Sequence, residues 1–268
     1  MIINQKIHFI HANGFPPEAY KSLFDLLNNK FSINNFLIEP SNYKKATIKK
    51  ISNWTVFQKD FLDSLETNEK IIGMGHSIGG NIILRSALER PEHFSKIIIL
   101  DPTLFIPRII YMWKLTSMLG IQNKFHPWLN ASLNRKMVYD NFDDIFKSYR
   151  NKPIFSKLDD DNLKLYIKSI TKTDNNKIRI TISREWEHQI YKTGLFADMY
   201  IWRNIKNLEI PTLILKAQDS NAFTNSTAKK IDKINNSNIR IITIENTSHL
   251  FPFEKPKQVS EKINHFII

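Results

Sequence analysis

The residues best suited to catalysis form one short stretch, in which a serine stands between two glycines. Residues 71–72 predict a strand, the motif Gly-His-Ser-Ile-Gly occupies residues 75–79, and residues 81–89 predict a helix. A strand, a Gly-x-Ser-x-Gly turn and a helix make up a nucleophile elbow, whose strained backbone holds the serine hydroxyl above the sheet. The pattern therefore predicts Ser77 as a nucleophile, with the positive end of the helix dipole beneath a developing oxyanion.

The elements that must position this serine alternate along the chain. Apolar runs typical of buried strands are interspersed with helical patterns on both sides of the elbow, which predicts an α/β fold with a parallel sheet covered on both faces. One helix is predicted at residues 47–65. The predicted strands lie at residues 6–10, 36–38, 71–72, 95–100, 210–215 and 239–244.

Between residues 103 and 207 the pattern changes to helices without intervening strands. The length suits a cap inserted after a strand, so residues 1–102 and 208–268 are predicted to form the core domain and residues 103–207 a helical cap. The candidate helices of this cap cover residues 107–119, 129–149, 159–171 and 184–192.

The cap is rich in aromatic side chains, most of which should pack it onto the core. A few of them should line an apolar substrate pocket together with the loop after the first strand. The predicted substrate-binding residues are His11, Phe15, Trp113 and Trp128. His11 should also shape its loop through hydrogen bonds.

The composition of the 268 residues indicates a globular protein outside the membrane. Hydrophobic residues make up 42%, and no apolar run approaches the ~20 residues that a transmembrane helix needs. The first residues lack the basic region and apolar core of a secretory signal, so a cytoplasmic location is expected. The chain has no cysteine, which excludes disulfides, thiolate catalysis and cysteine-bound zinc.

The formal net charge of +12 raises the question of an acidic partner, such as nucleic acid, an anionic membrane surface or an acidic carrier protein. The lysines are scattered along the chain, and its richness in Lys, Asn and Ile is typical of an AT-rich genome. We therefore predict no nucleic-acid partner.

Four segments, in this order, resemble the α/β-hydrolase superfamily, and the resemblance extends over essentially the whole chain. It implies the α/β-hydrolase fold, with a mostly parallel central sheet flanked by helices and a helical cap insertion. The segments are the loop His11–Pro16, the elbow Gly75–Gly80, the strand end Ile97–Pro102, and Ser248–Pro256, which is similar to the Gly-His-x-x-Pro-x-Glu-x-Pro segment of relatives.

The resemblance assigns a role to individual residues. Ser77 is the nucleophile, and His249 is the general base that takes its proton. The backbone N–H groups of Ile78 and Asn13 form the oxyanion hole, with Gly14 as the alternative to Asn13. His76 is interpreted as a packing neighbour. The resemblance implies no metal and no organic cofactor.

The acid of the triad is the point where this chain departs from the family pattern. Relatives usually carry Gly-x-x-Asp after the strand near residue 215, but here Ala217 replaces the glycine and Ser220 occupies the aspartate position. Asp219 lies one residue earlier. Asp101, at the end of the strand before the cap, is where some members of the superfamily place the acid. Both remain candidates, with Asp219 slightly preferred.

These residues predict a serine hydrolase, of carboxylesterase type, that cleaves a carboxylic ester of a small molecule through an acyl-enzyme; a thioester or amide is the less favoured substrate. One alternative is an esterase for acyl esters on an acidic carrier protein, as in biotin synthesis. Another is a lyase, a perhydrolase or a binding protein on the same fold. The carrier would dock on basic residues of the cap, namely Lys114, Arg135, Lys136, Lys147 and Arg150.

Overall fold

The fold is taken from a computed structural model, which describes residues 5–27, 30–38, 51–66, 69–125 and 127–267. Strands and helices alternate as predicted in the N-terminal and C-terminal parts of the chain. The strands are β1 (Gln5–Ile10), β2 (Phe31–Phe36), β3 (Ile71–His76), β4 (Phe94–Leu100), β5 (Val138–Tyr139), β6 (Thr171–Asp174), β7 (Lys177–Ile180), β8 (Thr212–Asp219) and β9 (Ile239–Ser248).

Six strands form the central sheet, in the order β2-β1-β3-β4-β8-β9, and every neighbouring pair is parallel. The predicted α/β class with a parallel sheet is confirmed. Because parallel strands end at the same edge of a sheet, the residues that follow β1, β3, β4, β8 and β9 meet there. All candidate catalytic side chains follow or end one of these strands.

Helices cover both faces of this sheet. No helix of the described residues is both long and apolar enough to cross a membrane. The helices are α1 (Lys21–Leu27), α2 (Thr55–Asp63), α3 (Ile78–Glu89), α4 (Pro107–Met118), α5 (Gln122–Phe125), α6 (Pro127–Leu133), α7 (Phe142–Arg150), α8 (Asp160–Ser169), α9 (Arg184–Thr193), α10 (Asp198–Asn204), α11 (Asn225–Asp232), α12 (Phe251–Glu254) and α13 (Pro256–Ile267).

Successive residues of the central strands point to opposite faces, which produces two apolar cores. In β4, Ile98 and Leu100 belong to the core that includes α1 and α13, whereas Ile97 and Ile99 belong to the core that includes α2 and α3. The side-chain period of two in a strand explains the division. Burial on both faces fixes the register of each strand and therefore the position of its last residue.

The segment between β4 and β8 is mostly helical, as predicted, and it also contains an unpredicted antiparallel sheet in the order β5-β7-β6. A single helix over residues 129–149 was wrong: α6 ends at Leu133, β5 follows, and the Asn141 side chain caps the start of α7 by accepting a hydrogen bond from Asp144 N (2.9 Å). Asn175 and Asn176, both at positive φ, form the turn between β6 and β7. The domain boundaries at residues 102 and 208 stay a prediction.

Two predicted elements lie elsewhere in the structure. The second strand covers Phe31–Phe36, five residues before the predicted start, because its polar, half-exposed middle hides it from an apolar search. It lies at the edge of the sheet, where β1 is its one pairing strand among the described residues. The helix predicted at residues 47–65 is observed at Thr55–Asp63, and residues 47–50 lie outside the described part of the chain.

Candidate active site

The elbow holds Ser77 in a conformation that few residues adopt, with φ 58° and ψ −116° between β3 and α3. Its backbone N–H donates to Leu100 O (2.9 Å). The flanking glycines are required by close approach: a Cβ on Gly75 would clash with the backbone of Gly79, and one on Gly79 would clash with the carbonyl of Ile10. The strained serine is therefore held by surrounding backbone that leaves no room for side chains.

His249 follows β9 and contacts Ser77 directly. Its Nε2 lies 3.0 Å from Ser77 Oγ, and its Nδ1 lies 2.6 Å from Asp101 Oδ2. A carboxylate only accepts hydrogen bonds, so Nδ1–H donates to Asp101 and the unprotonated Nε2 accepts the Ser77 proton. In this arrangement the imidazole is oriented to act as a base toward the serine.

Asp101 is fully buried at the end of β4. Besides His249 it receives hydrogen bonds from Ala217 N (2.9 Å, to Oδ1) and from the Ser220 hydroxyl (2.5 Å, to Oδ2). A buried carboxylate is tolerated when its oxygens are hydrogen-bonded in this way. Its backbone also has a positive φ of 41°, so the site contains a second strained residue.

Asp219, the slightly preferred acid, points elsewhere. Its Oδ2 forms an ion pair with Lys157 Nζ at 2.7 Å, and 58% of the aspartate side chain is exposed. Ser220, at the position where relatives carry the acid, donates its proton to Asp101 instead. The structure thus brings Asp101, and not Asp219, to the imidazole.

The loop carrying His249 is held by the glutamate of its own motif. Glu254 Oε2 accepts a hydrogen bond from Ser248 N (2.9 Å), and Oε1 accepts from the Ser248 hydroxyl. The Ser248 oxygen in turn accepts from Leu250 N (3.2 Å). The residues on both sides of His249 are therefore fixed by hydrogen bonds that do not involve its ring.

Thr103 is a contact of the nucleophile that the sequence analysis missed. Its hydroxyl lies 3.0 Å from Ser77 Oγ, and its N–H donates to Ser77 O at 3.0 Å. Since the Ser77 proton is directed at His249, the Thr103 hydroxyl is the donor to Oγ. The sequence did carry a signal for this contact, because the Thr103 hydroxyl follows the same strand as the candidate acid Asp101, two residues after it.

Asn81, in the first turns of α3, joins this site to α10, in the segment between β4 and β8. Its Nδ2 donates to Thr103 O (2.7 Å) and to Asp198 Oδ1 (2.8 Å). Asp198 is fully buried, and this burial raises its pKa to about 8 against the opposing effect of the Asn81 hydrogen bond. Asn81 therefore links Thr103, which contacts the nucleophile, to a carboxylic acid that is largely neutral at pH 7.

Of the two predicted oxyanion residues, Ile78 directly follows the nucleophile in the sequence, and the oxyanion role of both residues stays a prediction. Ile78 begins α3, and Asn13 belongs to the loop after β1, which approaches the elbow so closely that Gly79 has no room for a Cβ against it. The Asn13 side chain donates to Glu187 O (3.2 Å), and Gly14 adopts a positive φ of 79°. Helix α9 thereby holds the loop after β1.

His76 connects three segments of the site and is more than a packing neighbour. Its Nε2–H donates to His249 O (2.9 Å), and its Nδ1 accepts from the Tyr20 hydroxyl (2.7 Å), which itself accepts from Ala12 N (3.1 Å). Burial lowers the pKa of His76 well below its usual value, with His249 as a second cause. The neutral ring therefore serves as donor and acceptor at once.

The four predicted substrate-binding residues occupy different places. His11 is buried and bonds to Ala12 O and Ile38 N, so it shapes its loop as expected. Phe15 stacks on Tyr166 with ring centroids 4.6 Å apart. Trp113 is buried in a small cluster within the cap, and Trp128 is half-buried on α6. Their part in substrate binding stays a prediction.

Three of the five basic residues proposed to dock a carrier have partners within the chain. Lys136 is exposed, and its Nζ lies 4.6 Å from the centre of the Tyr139 ring. Arg135 forms a largely buried ion pair with Glu187, whose carboxylate lies close to Gly14. Arg150 pairs with Asp160 at 2.9 Å and donates to two backbone carbonyls. Lys114, Lys136 and Lys147 remain as candidates for docking. Over the described residues, no three His, Asp or Glu side chains cluster as a metal site requires.

Comparison with known proteins identifies the family of the chain. Residues 50–256, well over half of the chain, match the family model described as "Serine aminopeptidase, S33". The chain belongs to this family. Solved structures described as α/β hydrolases match the fold of this chain over its whole length, so the fold expected from the resemblance is confirmed.

Individual relatives are distant but cover nearly the whole chain. The uncharacterized hydrolase YugF of Bacillus subtilis (strain 168) is 22% identical over 96% of this chain and 88% of its own. An α/β hydrolase of Novosphingobium aromaticivorans DSM 12444 has a TM-score of 0.72 at 12% identity, covering 100% and 90% of the two chains. A structure from a study of Nitrososphaera gargenis carboxylesterases gives 0.71 at 13% identity, covering 100% and 91%. The chain is therefore an α/β hydrolase.

Proposed function

We propose that this member of the serine aminopeptidase family is a serine esterase in which Ser77, His249 and Asp101 form the catalytic triad. The observation that carries the proposal is the continuous line of contacts from Ser77 Oγ to His249 Nε2 (3.0 Å) and from His249 Nδ1 to Asp101 Oδ2 (2.6 Å). Nucleophile, base and orienting acid within hydrogen-bond distance of one another are the arrangement that acyl transfer requires.

The reaction proceeds in two balanced steps. Ser77 Oγ attacks the ester carbonyl carbon while its proton moves to His249 Nε2, and the oxyanion accepts hydrogen bonds from the N–H groups of Ile78 and Asn13. The tetrahedral intermediate collapses, the C–O bond to the alcohol breaks, and His249 returns the proton to that alcohol. Water then repeats the sequence and releases the acid. Asp101 holds the imidazole and stabilises its transient positive charge.

Asp101 replaces Asp219 as our preferred acid because of what each carboxylate contacts. Asp101 is buried against His249, whereas Asp219 is exposed and paired with Lys157. Ser220 fills the position that relatives give to the acid, and its hydroxyl supports the carboxylate from the neighbouring strand. In the proposed triad the acid therefore follows β4 and not β8.

Turnover of small chromogenic substrates tests this function. We expect hydrolysis of p-nitrophenyl acetate by the wild type, weaker hydrolysis of the matched anilide p-nitroacetanilide, and loss of both in Ser77→Ala. The exposed Ser226→Ala provides the matched serine control and should retain full activity. A folded wild type without turnover, or a Ser77→Ala variant that keeps it, would favour a lyase or a binding protein.

A carrier-bound ester is a second substrate hypothesis, and it rests on fewer residues now that Arg135 and Arg150 have internal partners. Charge reversal at Lys114, Lys136 and Lys147 should then slow turnover of an ester on an acidic carrier and spare p-nitrophenyl acetate. An equal effect on both substrates would rule out carrier docking at these lysines.

A further inference from the structure

One helix of the cap is apolar on the side that faces away from the protein. Ile110 and Trp113 of α4 are buried, yet large apolar side chains on the opposite side are exposed by more than half. We call these residues the cap apolar face: Tyr111 (57% exposed), Met112 (58%), Leu115 (56%), Met118 (85%) and Leu119 (61%).

These residues form a single stripe. At 100° per residue they span an arc of about 120°, with Ile110 and Trp113 on the far side of the helix. One further large hydrophobic side chain is exposed in the described part of the chain. It is Leu133 on α6, which also belongs to the cap. A contiguous apolar surface of this kind marks an interaction site.

The charge around the stripe identifies the kind of partner. From residue 102 to residue 139 the sequence contains no Asp or Glu, and it contains five Lys or Arg residues. Arg135 is bound to Glu187, but Arg108 and Lys124 are exposed and Lys114 is half-buried. Arg108 lies on the same arc as Leu115, since the two are seven residues apart in one helix.

We propose that the cap apolar face docks on the surface of an anionic lipid bilayer, with α4 parallel to the membrane plane. A helix with apolar side chains on one side and flanking basic residues inserts its apolar side into the headgroup region, while the cations meet anionic lipid. Tyr111 suits this position because its ring is apolar and its hydroxyl can stay hydrated.

A second copy of the chain fits this face less well. A two-fold dimer would bring the stripe of one copy against the stripe of the other, and with it Arg108, Lys114 and Lys124 of both copies. No acidic residue in this stretch of sequence would compensate that repulsion, whereas an anionic lipid surface would. The proposal is independent of the esterase function, because lipid binding requires no turnover.

Cosedimentation with vesicles tests the proposal on the full chain. Wild type should bind vesicles of phosphatidylglycerol and phosphatidylcholine and bind phosphatidylcholine vesicles much more weakly. Leu115→Ser/Leu119→Ser should lower the affinity about tenfold or more, and Arg108→Glu/Lys124→Glu about tenfold or more at low salt. Lys229→Glu on α11 combined with Lys233→Glu, directly after that helix, makes the same change in net charge on an exposed surface of the core and should stay within about threefold of wild type.

Several results would overturn lipid docking. They are no binding of wild type to anionic vesicles, equal binding to both vesicle types, unchanged binding of the leucine variant, and equal loss in the two charge variants. A concentration-dependent dimer that disappears in the leucine variant, without vesicle binding, would assign the face to a second copy. Circular dichroism confirms folding of each variant, and Met118→Ser, at the most exposed position, replaces the leucine pair if that variant does not fold.

Discussion

At the scale of single residues, the site depends on side chains that position the triad. Thr103 donates to Ser77 Oγ, Ser220 donates to Asp101, and His76 links the histidine loop to Tyr20. None of these residues transfers a proton in the proposed reaction. Each one limits the motion of a group that does, which is how an active site keeps reacting atoms within hydrogen-bond distance.

Removal of the Thr103 hydroxyl should affect turnover more than substrate binding. In Thr103→Val, Ser77 Oγ loses a donor worth about 1 kcal/mol, so kcat should fall about threefold to tenfold with little change in KM. Thr103→Ser keeps the hydroxyl and should restore kcat. Steady-state kinetics on p-nitrophenyl acetate checks this, and an unchanged kcat in the valine variant would show that the contact has no role in catalysis.

Tyr20→Phe should destabilise the fold. The variant leaves His76 Nδ1 and Ala12 N without their buried partner, which should lower the free energy of unfolding by about 1–3 kcal/mol. Tyr111→Phe removes a hydroxyl from an exposed tyrosine and is the matched control, with an expected change near zero. Urea denaturation measures both. Equal stability of the two variants would mean that the His76 network contributes nothing.

At the scale of elements, the elbow is built by the close approach of β3, α3 and the loop after β1. A Cβ on Gly79 would overlap the backbone carbonyl of Ile10, whereas a Cβ on the adjacent Gly80 would lie 3.0–3.2 Å from the side chains of Ile99 and Pro102 and from Gly75 O. Backbone that is held in a parallel sheet shifts less readily than a side chain to relieve a steric clash. The two glycines therefore provide a matched pair for substitution.

Gly79→Ala should cost more stability than Gly80→Ala. We expect a loss of about 3 kcal/mol or more for Gly79→Ala and about 1–2 kcal/mol for Gly80→Ala, from the free energies that overpacking typically costs. Urea denaturation measures both values, and esterase assays should show the larger loss in Gly79→Ala. A Gly80→Ala variant that is less stable than Gly79→Ala would contradict the described packing.

The elbow and the histidine loop could be predicted because each lies within one short segment. The acid could not, because the choice between Asp101 and Asp219 depends on contacts across strands β4 and β8 and on Ser220 between them. β2 was misplaced because its edge position leaves polar residues at its centre. The β6–β7 hairpin was missed, although Asn175 and Asn176 side by side carry the turn chemistry of a two-residue loop.

At the scale of the whole molecule, Asp198 connects the segment between β4 and β8 to α3 through Asn81 and should make stability depend on pH. Its pKa is raised from 3.8 to about 8, mainly by burial, with Asn81, Phe105 N and Arg85 acting against this effect. Between these two values the folded chain keeps the proton and the unfolded chain releases it. The contribution of this group to stability is therefore complete below about pH 4 and is lost as pH rises toward 8.

Asp198→Asn removes this titration while keeping an oxygen acceptor for Asn81. The unfolding free energy of the variant minus that of wild type should therefore increase with pH from about 4 to 8, by up to about 1.4 kcal/mol per pH unit, and level off above 8. Chemical denaturation at a series of pH values measures the difference. A difference that is constant with pH would show that Asp198 does not keep its proton in the folded protein.

Labelling with a fluorophosphonate probe tests most directly whether His249 and Asp101 activate Ser77. These reagents react with a serine that a base activates, so the adduct, mapped by mass spectrometry, reports the triad without a known substrate. We expect an adduct on Ser77, none in Ser77→Ala, labelling slowed about a thousandfold in Asp101→Asn, and a near wild-type rate in the matched Asp219→Asn. An adduct elsewhere, no adduct on the folded wild type, or loss of labelling in Asp219→Asn rather than Asp101→Asn would contradict the proposed triad.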